Sequence, residues 1–184
     1  MARVLIPITH GSEEVEAVTL IDLLRRADFQ VVVAGLEPGT VTCSRGVVLK
    51  PDVLLDEVLD DPFDLVVLPG GLPGANRLDA DPRIHALLHR LHDEGRLVGA
   101  ICAAPKVLGS AGLLKGRNAT GHPSVVKTLD LPDTRFAEQP VVVDGNIATS
   151  QGPGTAMDFA LTLIELLAGA DKRREVEGPL CRPE

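Results

Sequence analysis

The stretch Leu97-Val98-Gly99-Ala100-Ile101-Cys102-Ala103-Ala104-Pro105-Lys106-Val107-Leu108 decides the fold prediction. Residues 97–101 form an apolar run of strand length, and residues 103–108 continue with residues that suit a helix. Pro105 fits the first turn of that helix, because backbone N–H groups there have no intrahelical acceptor. The sequence therefore predicts a strand that turns directly into a helix, with Cys102 at the turn.

A cysteine in this position has two interpretations. Open α/β sheets bind ligands at the carboxyl ends of their strands, and the N–H groups at a helix start lower the pKa of a thiol. Both features indicate a nucleophilic or redox-active Cys102 on an elbow-like turn. However, free cysteines are among the most buried residue types, so an inert core cysteine is the alternative. The stretch alone does not choose between them.

The rest of the chain alternates apolar strands with amphipathic helices. A strand over residues 3–9, a helix from a Ser12 N-cap to about Ala27 and a strand over residues 29–34 make a βαβ unit, which requires parallel strands. The further predicted elements are a small hairpin within residues 38–55, a strand over residues 64–68, a helix opened by Asp81-Pro82, a hairpin over residues 136–149, and a last helix with a Thr155/Asp158 capping box. The predicted fold class is α/β, with a largely parallel sheet and helices on both faces.

Composition limits the domain count and the partners. A chain of 184 residues with 45% hydrophobic residues suits one domain, residues 1–184, whose tail after about residue 170 either packs as a short segment or is loose. No apolar run reaches the ~20 residues of a membrane span, and no signal-peptide pattern opens the chain, so we expect a cytoplasmic protein. A net charge of −8 and only four aromatic residues, all Phe, disfavour nucleic-acid binding.

The cysteines and histidines do not predict a metal site. The three cysteines are far apart and odd in number, which disfavours a disulfide framework and a paired-cysteine zinc site. His85, His89 and His92 share one helix face at spacings that a metal could bridge. They flank the apolar stripe and are expected to face solvent, so we predict no metal.

Several polar residues fall at the predicted carboxyl edge of the sheet. Glu16 lies one turn into the first helix with an apolar row beside it, but Glu13 has a similar row, so periodicity does not choose between them. Gly70-Gly71 either exposes N–H groups to an oxyanion or simply turns the chain. His122 is either a site residue or an ordinary loop histidine, and Arg45 is either an anion-binding residue or a surface charge.

Taken together, six motifs resemble the ThiJ/PfpI (DJ-1/PfpI) superfamily, on its DJ-1-like and YajL-like branch. They occur in the same order over residues 1 to about 170 and are far more specific together than singly. The motifs are Gly11-Ser12-Glu13-Glu14-Val15-Glu16, Cys43-Ser44-Arg45, Val66-Val67-Leu68-Pro69-Gly70-Gly71, Ala100-Ile101-Cys102-Ala103-Ala104-Pro105, Gly121-His122-Pro123 and Gly152-Pro153-Gly154-Thr155.

The resemblance implies a flavodoxin-like three-layer sandwich and a set of catalytic residues. Cys102 corresponds to the elbow nucleophile, and His122 corresponds to the family's histidine. The family's glutamate, which bonds the thiolate, falls on Glu16 and not on Glu13. Since two adjacent negative charges repel, we expect Glu16 to be protonated and to donate to a Cys102 thiolate of lowered pKa.

The resemblance also implies the substrate-binding residues and the partner. The N–H groups of Gly71 and Ala103 fall where an oxyanion would sit, and Gly70 and Arg45 are further candidates for substrate binding. A homodimer is implied, with the first helix and the hairpin around residues 43–45 as its candidate surface.

The implied activity is that of a glutathione-independent glyoxalase and deglycase without a cofactor. Its substrates would be 2-oxoaldehydes, with methylglyoxal converted to lactate through a cysteine hemithioacetal, and early glycated proteins or amino acids. The alternative is an oxidative-stress sensor or redox-regulated chaperone that uses the same cysteine. A cysteine peptidase is disfavoured, because Ala103 stands where the peptidase branch has a histidine.

Overall fold

A seven-stranded sheet forms the centre of the structure, a computed structural model that describes residues 1–182. The strands are β1 (Arg3–Ile8), β2 (Gln30–Gly35), β3 (Val41–Thr42), β4 (Val48–Leu49), β5 (Val53–Leu54), β6 (Leu65–Leu68), β7 (Leu97–Ile101), β8 (Asn118–Ala119), β9 (Arg135–Phe136), β10 (Val141–Asp144) and β11 (Ile147–Ser150). The α-helices are α1 (Glu14–Arg26), α2 (Leu72–Ala80), α3 (Pro82–Asp93), α4 (Pro105–Ser110), α5 (Pro123–Val126) and α6 (Ala156–Glu177).

The order of strands across the sheet is β10-β11-β7-β6-β1-β2-β5. Every neighbouring pair is parallel except β10 and β11, which form an antiparallel hairpin. In register, Val4 of β1 lies opposite Val31 of β2 and Leu65 of β6. The carboxyl ends of β1, β6 and β7 therefore lie side by side at one edge of the sheet, as the sequence predicted.

Two hydrophobic cores cover the two faces of the sheet. Alternate residues of β1 enter opposite cores: Val4 and Ile6 join the core beneath α1 and α6, whereas Leu5 joins the core beneath α3 and α4. Strands that are buried on both faces are apolar throughout, which explains why they lack a polar alternation. This arrangement confirms the predicted α/β fold class with helices on both faces.

Two of the predicted helix caps are wrong. Ser12 Oγ accepts a hydrogen bond from Thr9 N–H at 3.1 Å, so it closes the turn after β1 and does not cap α1. Glu13 takes the N-cap position, because its carboxylate accepts Glu16 N–H at 2.7 Å. Likewise, Thr155 Oγ1 accepts Gly152 N–H at 3.1 Å and makes no capping box with the start of α6.

Other elements differ in extent from the sequence prediction. The segment that starts at Leu72 forms the helix α2, which was not among the predicted elements; Pro73 is accepted because it falls in the first turn. β5 adds an unpredicted parallel strand at the sheet edge. The predicted hairpin over residues 136–149 is in fact β10 and β11, while β9 pairs with β8 in a separate ladder.

The chain after residue 170 is helical as far as Glu177. Gly169 has a φ of +86° and kinks α6 at that point. Val176 beyond the kink is buried in the core beneath α1 and α6. Within residues 1–182, no helix is both long and apolar enough to cross a bilayer.

Replacing Phe159 with alanine is expected to lower the free energy of unfolding by about 3–5 kcal/mol, measured by denaturant titration. Phe159 is fully buried under the sheet, and its ring tip packs beside Gly99 of β7. Leu166→Ala is the matched control on the same helix, because Leu166 is 43% exposed and should change stability by less than about 1 kcal/mol. Equal losses in the two variants would contradict this packing.

Candidate active site

Cys102 sits at the junction of β7 and the turn that leads into α4. Its φ is +63°, a conformation uncommon for any residue other than glycine. Two backbone hydrogen bonds hold it there: Cys102 N–H donates to Ser150 O at 2.9 Å, and Cys102 O accepts His122 N–H at 2.7 Å. The side chain is about nine-tenths buried. The cysteine is therefore fixed in an outlying backbone conformation at the carboxyl edge of the sheet.

Glu16 is the residue that the first turn of α1 directs toward Cys102. It is fully buried, and its carboxyl group lies next to the Cys102 side chain, since both face the same space beside Gly70. Glu16 Oε2 accepts Gly70 N–H at 2.7 Å, whereas Oε1 has no hydrogen-bond partner among residues 1–182. Because a backbone N–H can only donate, a proton on Glu16 belongs on Oε1. Glu13, the other candidate, is used as the helix cap.

Gly70 and Gly71 bring a third chain segment against this pair. A Cβ on Gly70 would lie 2.6 Å from Cys102 Cβ and 2.7 Å from Glu16 Oε2, so no larger residue fits. Gly71 has a φ of +81°, and a Cβ there would lie 2.3 Å from Gly11 O. The N–H groups of Gly71 and Ala103 lie near enough to the Cys102 sulfur to act on its pKa.

The buried pair has unusual electrostatics. Burial raises the pKa of Glu16 to about 7, against the lowering effects of the neighbouring Cys102 and of the hydrogen bond from Gly70 N–H. Burial and the ionised Glu16 raise the pKa of Cys102 to about 12, although the N–H groups of Gly71 and Ala103 act to lower it. The two groups are close enough to share one negative charge, so their titrations are coupled.

The raised pKa of Cys102 is opposite to the lowered value expected from the sequence. The sequence argument considered the helix start and its N–H groups but not the cost of burying the sulfur next to a carboxylate. The Glu16 contribution to that rise disappears when Glu16 holds a proton. Formation of a thiolate at Cys102 therefore depends on the protonation of Glu16.

His122 is joined to Cys102 through the backbone and lies at the N-cap of α5. Both hydrogen bonds that its ring makes within residues 1–182 are at Nδ1, and both are with Ser124. Its Cδ2 faces Gly152, where a Cβ would lie 3.6 Å away. The structure thus places His122 in the loop next to Cys102, but its ring forms hydrogen bonds with Ser124 and not with the Cys102 sulfur.

Arg45 lies in the turn between β3 and β4, where its side chain is exposed. Glu14 holds this turn: its carboxylate accepts Arg45 N–H at 2.8 Å and Ser44 Oγ–H at 2.9 Å, as well as Val47 N–H. Burial raises the pKa of Glu14, but these hydrogen bonds together outweigh it and keep that pKa below its ordinary value. Sequence reasoning missed Glu14, because helical periodicity does not reveal an acceptor for backbone N–H groups.

The histidines of α3 do not form a metal site in the described part of the chain. No three His, Cys, Asp or Glu side chains of residues 1–182 converge as potential metal ligands. His85 Nε2 instead lies 2.8 Å from Asp79 O.

Glu16→Gln is expected to change the pH dependence of stability. The pKa of Glu16 is raised from 4.5 to about 7 in the folded chain, so its protonation stabilises the fold below pH 4.5 and that contribution is lost as the pH rises through 7. The glutamine variant lacks this loss. The free energy of unfolding of Glu16→Gln relative to that of the parent should therefore increase by up to about 3 kcal/mol as the pH rises from 4.5 to 7.

Urea titrations at several pH values measure this difference. Glu138→Gln is the matched control, because Glu138 is exposed and its replacement should leave the pH dependence of the parent unchanged. A stability difference between Glu16→Gln and the parent that is constant from pH 4.5 to 7 would contradict the buried, coupled carboxyl.

Comparison with known proteins assigns the chain to a family. A sequence profile described as the DJ-1/PfpI family matches residues 2–166. "Protein DJ-1 homolog A" of Arabidopsis thaliana is 44% identical over 179 residues, which is 96% of this chain but only 46% of that protein. The chain thus spans less than half the length of this relative.

Two further similar proteins match over almost their whole length. The "Glutathione-independent glyoxalase DJR-1.2" of Caenorhabditis elegans is 37% identical over 180 residues, covering 98% of this chain and 95% of that protein. The crystal structure of Drosophila melanogaster DJ-1beta superimposes with a TM-score of 0.95 at 42% identity, covering 100% of this chain and 99% of that one. By sequence and by fold, the chain belongs to the DJ-1/PfpI family.

Proposed function

We propose that the protein is a cofactor-independent glyoxalase that converts 2-oxoaldehydes such as methylglyoxal to 2-hydroxy acids. The observation that carries this proposal is the buried contact between the Glu16 carboxyl and the Cys102 side chain beside Gly70. It joins a nucleophile to an acid–base group whose pKa is about 7. The name of the C. elegans relative supports the same reaction class.

The reaction begins with the form of the pair in which Glu16 holds its proton and Cys102 is a thiolate. The sulfur adds to the aldehyde carbon, and the carbonyl oxygen takes the proton from Glu16, which gives a hemithioacetal. The N–H groups of Gly71 and Ala103, which contact the sulfur, are suitably located to stabilise the developing oxyanion.

An internal redox step follows on the bound substrate. The Glu16 carboxylate takes the proton from the former aldehyde carbon, which gives an enediol, and returns it to the neighbouring carbon. The hydroxyl proton moves from the first oxygen to the second, so that the first carbon becomes a thioester and the second an alcohol. One carbon is oxidised and the other reduced, so the step needs no external oxidant or cofactor.

Hydrolysis of the thioester completes the cycle. Water adds to the thioester carbon and the Cys102 sulfur leaves as a thiolate; of the two protons of the water, one returns to Glu16 and the other is released with the carboxylate product, so methylglyoxal plus water gives lactate and a proton. Early glycated amines and thiols are adducts of the same 2-oxoaldehydes, so the same thiolate can attack the carbon that carries the amine or thiol. We therefore include deglycation of such adducts in the proposal.

The proposal includes a homodimer in the cytoplasm. Exposed valines on α1 and on the β3–β4 hairpin give this side of the molecule an apolar character: Val15, Val18, Val47 and Val48 are 44–57% exposed. Val18 and Leu49 line one groove between these two elements. Contiguous apolar surface of this kind suits association with a second copy.

The redox sensor or chaperone stays the alternative, because a reactive Cys102 would also be open to oxidation. A peptidase stays disfavoured, because Ala103 follows the cysteine directly. Measurement of turnover distinguishes the enzyme from the sensor.

Cys102→Ala is expected to abolish lactate formation from methylglyoxal, measured without added glutathione, since the hemithioacetal cannot form. The loss should be at least about a thousandfold, because covalent catalysis is removed entirely. The exposed Cys181 provides the matched control: Cys181→Ala should retain the parent's kcat.

Equal lactate formation by the parent and Cys102→Ala would overturn the proposal. Selective oxidation of Cys102 by mild peroxide in a parent without turnover would favour the sensor instead.

A further inference from the structure

The ring of His122 is bound by Ser124 in a way that determines which nitrogen carries hydrogen. Ser124 N–H donates to His122 Nδ1 at 3.3 Å, and Ser124 Oγ lies 2.8 Å from the same nitrogen. A backbone N–H has no lone pair and can only donate, so Nδ1 must present its lone pair. A hydrogen on Nδ1 would point at the hydrogen of Ser124 N–H.

The neutral His122 ring therefore carries its hydrogen on Nε2. The Ser124 hydroxyl is free to rotate and can donate its own hydrogen to Nδ1, which reinforces the same tautomer. Nδ1 is occupied by these two contacts, so Nε2 is the ring nitrogen that can form a hydrogen bond with a bound molecule.

The rest of the loop fixes the orientation of the ring. His122 N–H is bound to Cys102 O at 2.7 Å, which links the histidine backbone to the nucleophile. On the ring edge that contains Nε2, Cδ2 faces Gly152, where a Cβ would lie 3.6 Å away. The backbone hydrogen bond to Cys102 thus places His122 beside the cysteine, and Ser124 supplies the contacts that act on the ring nitrogen.

We propose that Ser124 is a positioning residue that fixes His122 as the Nε2–H tautomer, so that His122 donates a hydrogen bond to the substrate carbonyl oxygen and is not the base. This inference rests on the proposed glyoxalase function. The proton of the substrate carbon passes to Glu16, and none leaves His122. A neutral imidazole that polarises a carbonyl is an established catalytic device in another enzyme, triosephosphate isomerase.

The tautomer can be measured without turnover. Long-range ¹H–¹⁵N correlation spectra of the protein labelled with ¹⁵N-histidine should show His122 as the Nε2–H form, with Nδ1 as the bare nitrogen. In Ser124→Ala the backbone N–H remains, so the Nε2–H form should stay the main one, but the hydroxyl that reinforces it is lost, so the fraction of the Nδ1–H form should increase above that of the parent. A parent His122 that is protonated on Nδ1 would overturn the inference whatever the activity.

Kinetics of the same variants test the catalytic part. Ser124→Ala should reduce kcat for methylglyoxal about three- to tenfold, which corresponds to one lost hydrogen bond, and Ser124→Thr should restore it because it retains the hydroxyl. Thr128→Ala is the matched control, since Thr128 lies just after α5 and its hydroxyl donates to Val125 O. Removing that hydroxyl should leave kcat unchanged.

A Ser124→Ala variant with the parent's kcat would contradict the positioning role. If the parent forms no lactate at all, the proposed function fails, and the role of His122 as a donor fails with it. The spectra then still decide whether Ser124 fixes the tautomer.

Discussion

The buried contact between the Glu16 carboxyl and the Cys102 sulfur is the constraint on which the rest of the site depends. Two acidic groups in contact in a buried site repel each other when both are charged. The pair therefore carries one negative charge and one proton. The ionised Glu16 raises the pKa of Cys102 beyond what burial alone does, whereas Cys102 lowers the pKa of Glu16. The arrangement places a thiol and a carboxyl group of raised pKa together in one buried site, and it makes the protonation of one depend on the protonation of the other.

The fold creates this contact by bringing three separate segments to one edge of the sheet. The segment between β1 and α1 lies in the middle: Gly11 N–H donates to Thr42 O on the hairpin side at 2.9 Å, and Gly11 O accepts Gly74 N–H at 3.1 Å on the other. Glu13 N–H donates to Gly70 O at 2.9 Å, which holds the glycine turn against the pair. The absence of side chains at the glycines is therefore what allows the carboxyl and the sulfur to approach each other.

Sequence reasoning predicted the parallel sheet, the strand-to-helix turn at Cys102 and the convergence of loops, because these follow from apolar periodicity and the geometry of parallel strands. It did not predict that Ser12 would close a turn while Glu13 caps α1, since serine is a preferred N-cap residue and glutamate is not, and the hydrogen bond of Ser12 with Thr9 N–H is what removes Ser12 from that role. It also gave the wrong direction for the pKa of Cys102, since burial and the charge of Glu16 depend on distances between segments far apart in the chain. The choice of Glu16 over Glu13 came from the family resemblance and not from periodicity.

The most direct test of the account is a titration of the Cys102 thiolate, followed by ultraviolet absorbance in the parent, Glu16→Gln and Glu16→Ala. Glutamine resembles protonated glutamate: its oxygen can accept Gly70 N–H while its amide donates to the sulfur. We predict that the pKa of Cys102 is lowest in Glu16→Gln and higher in Glu16→Ala, which lacks the donor. In the parent, thiolate formation should be complete only at a higher pH than in Glu16→Gln, because the ionised carboxylate opposes it. Identical titration curves in all three proteins would contradict the coupled pair.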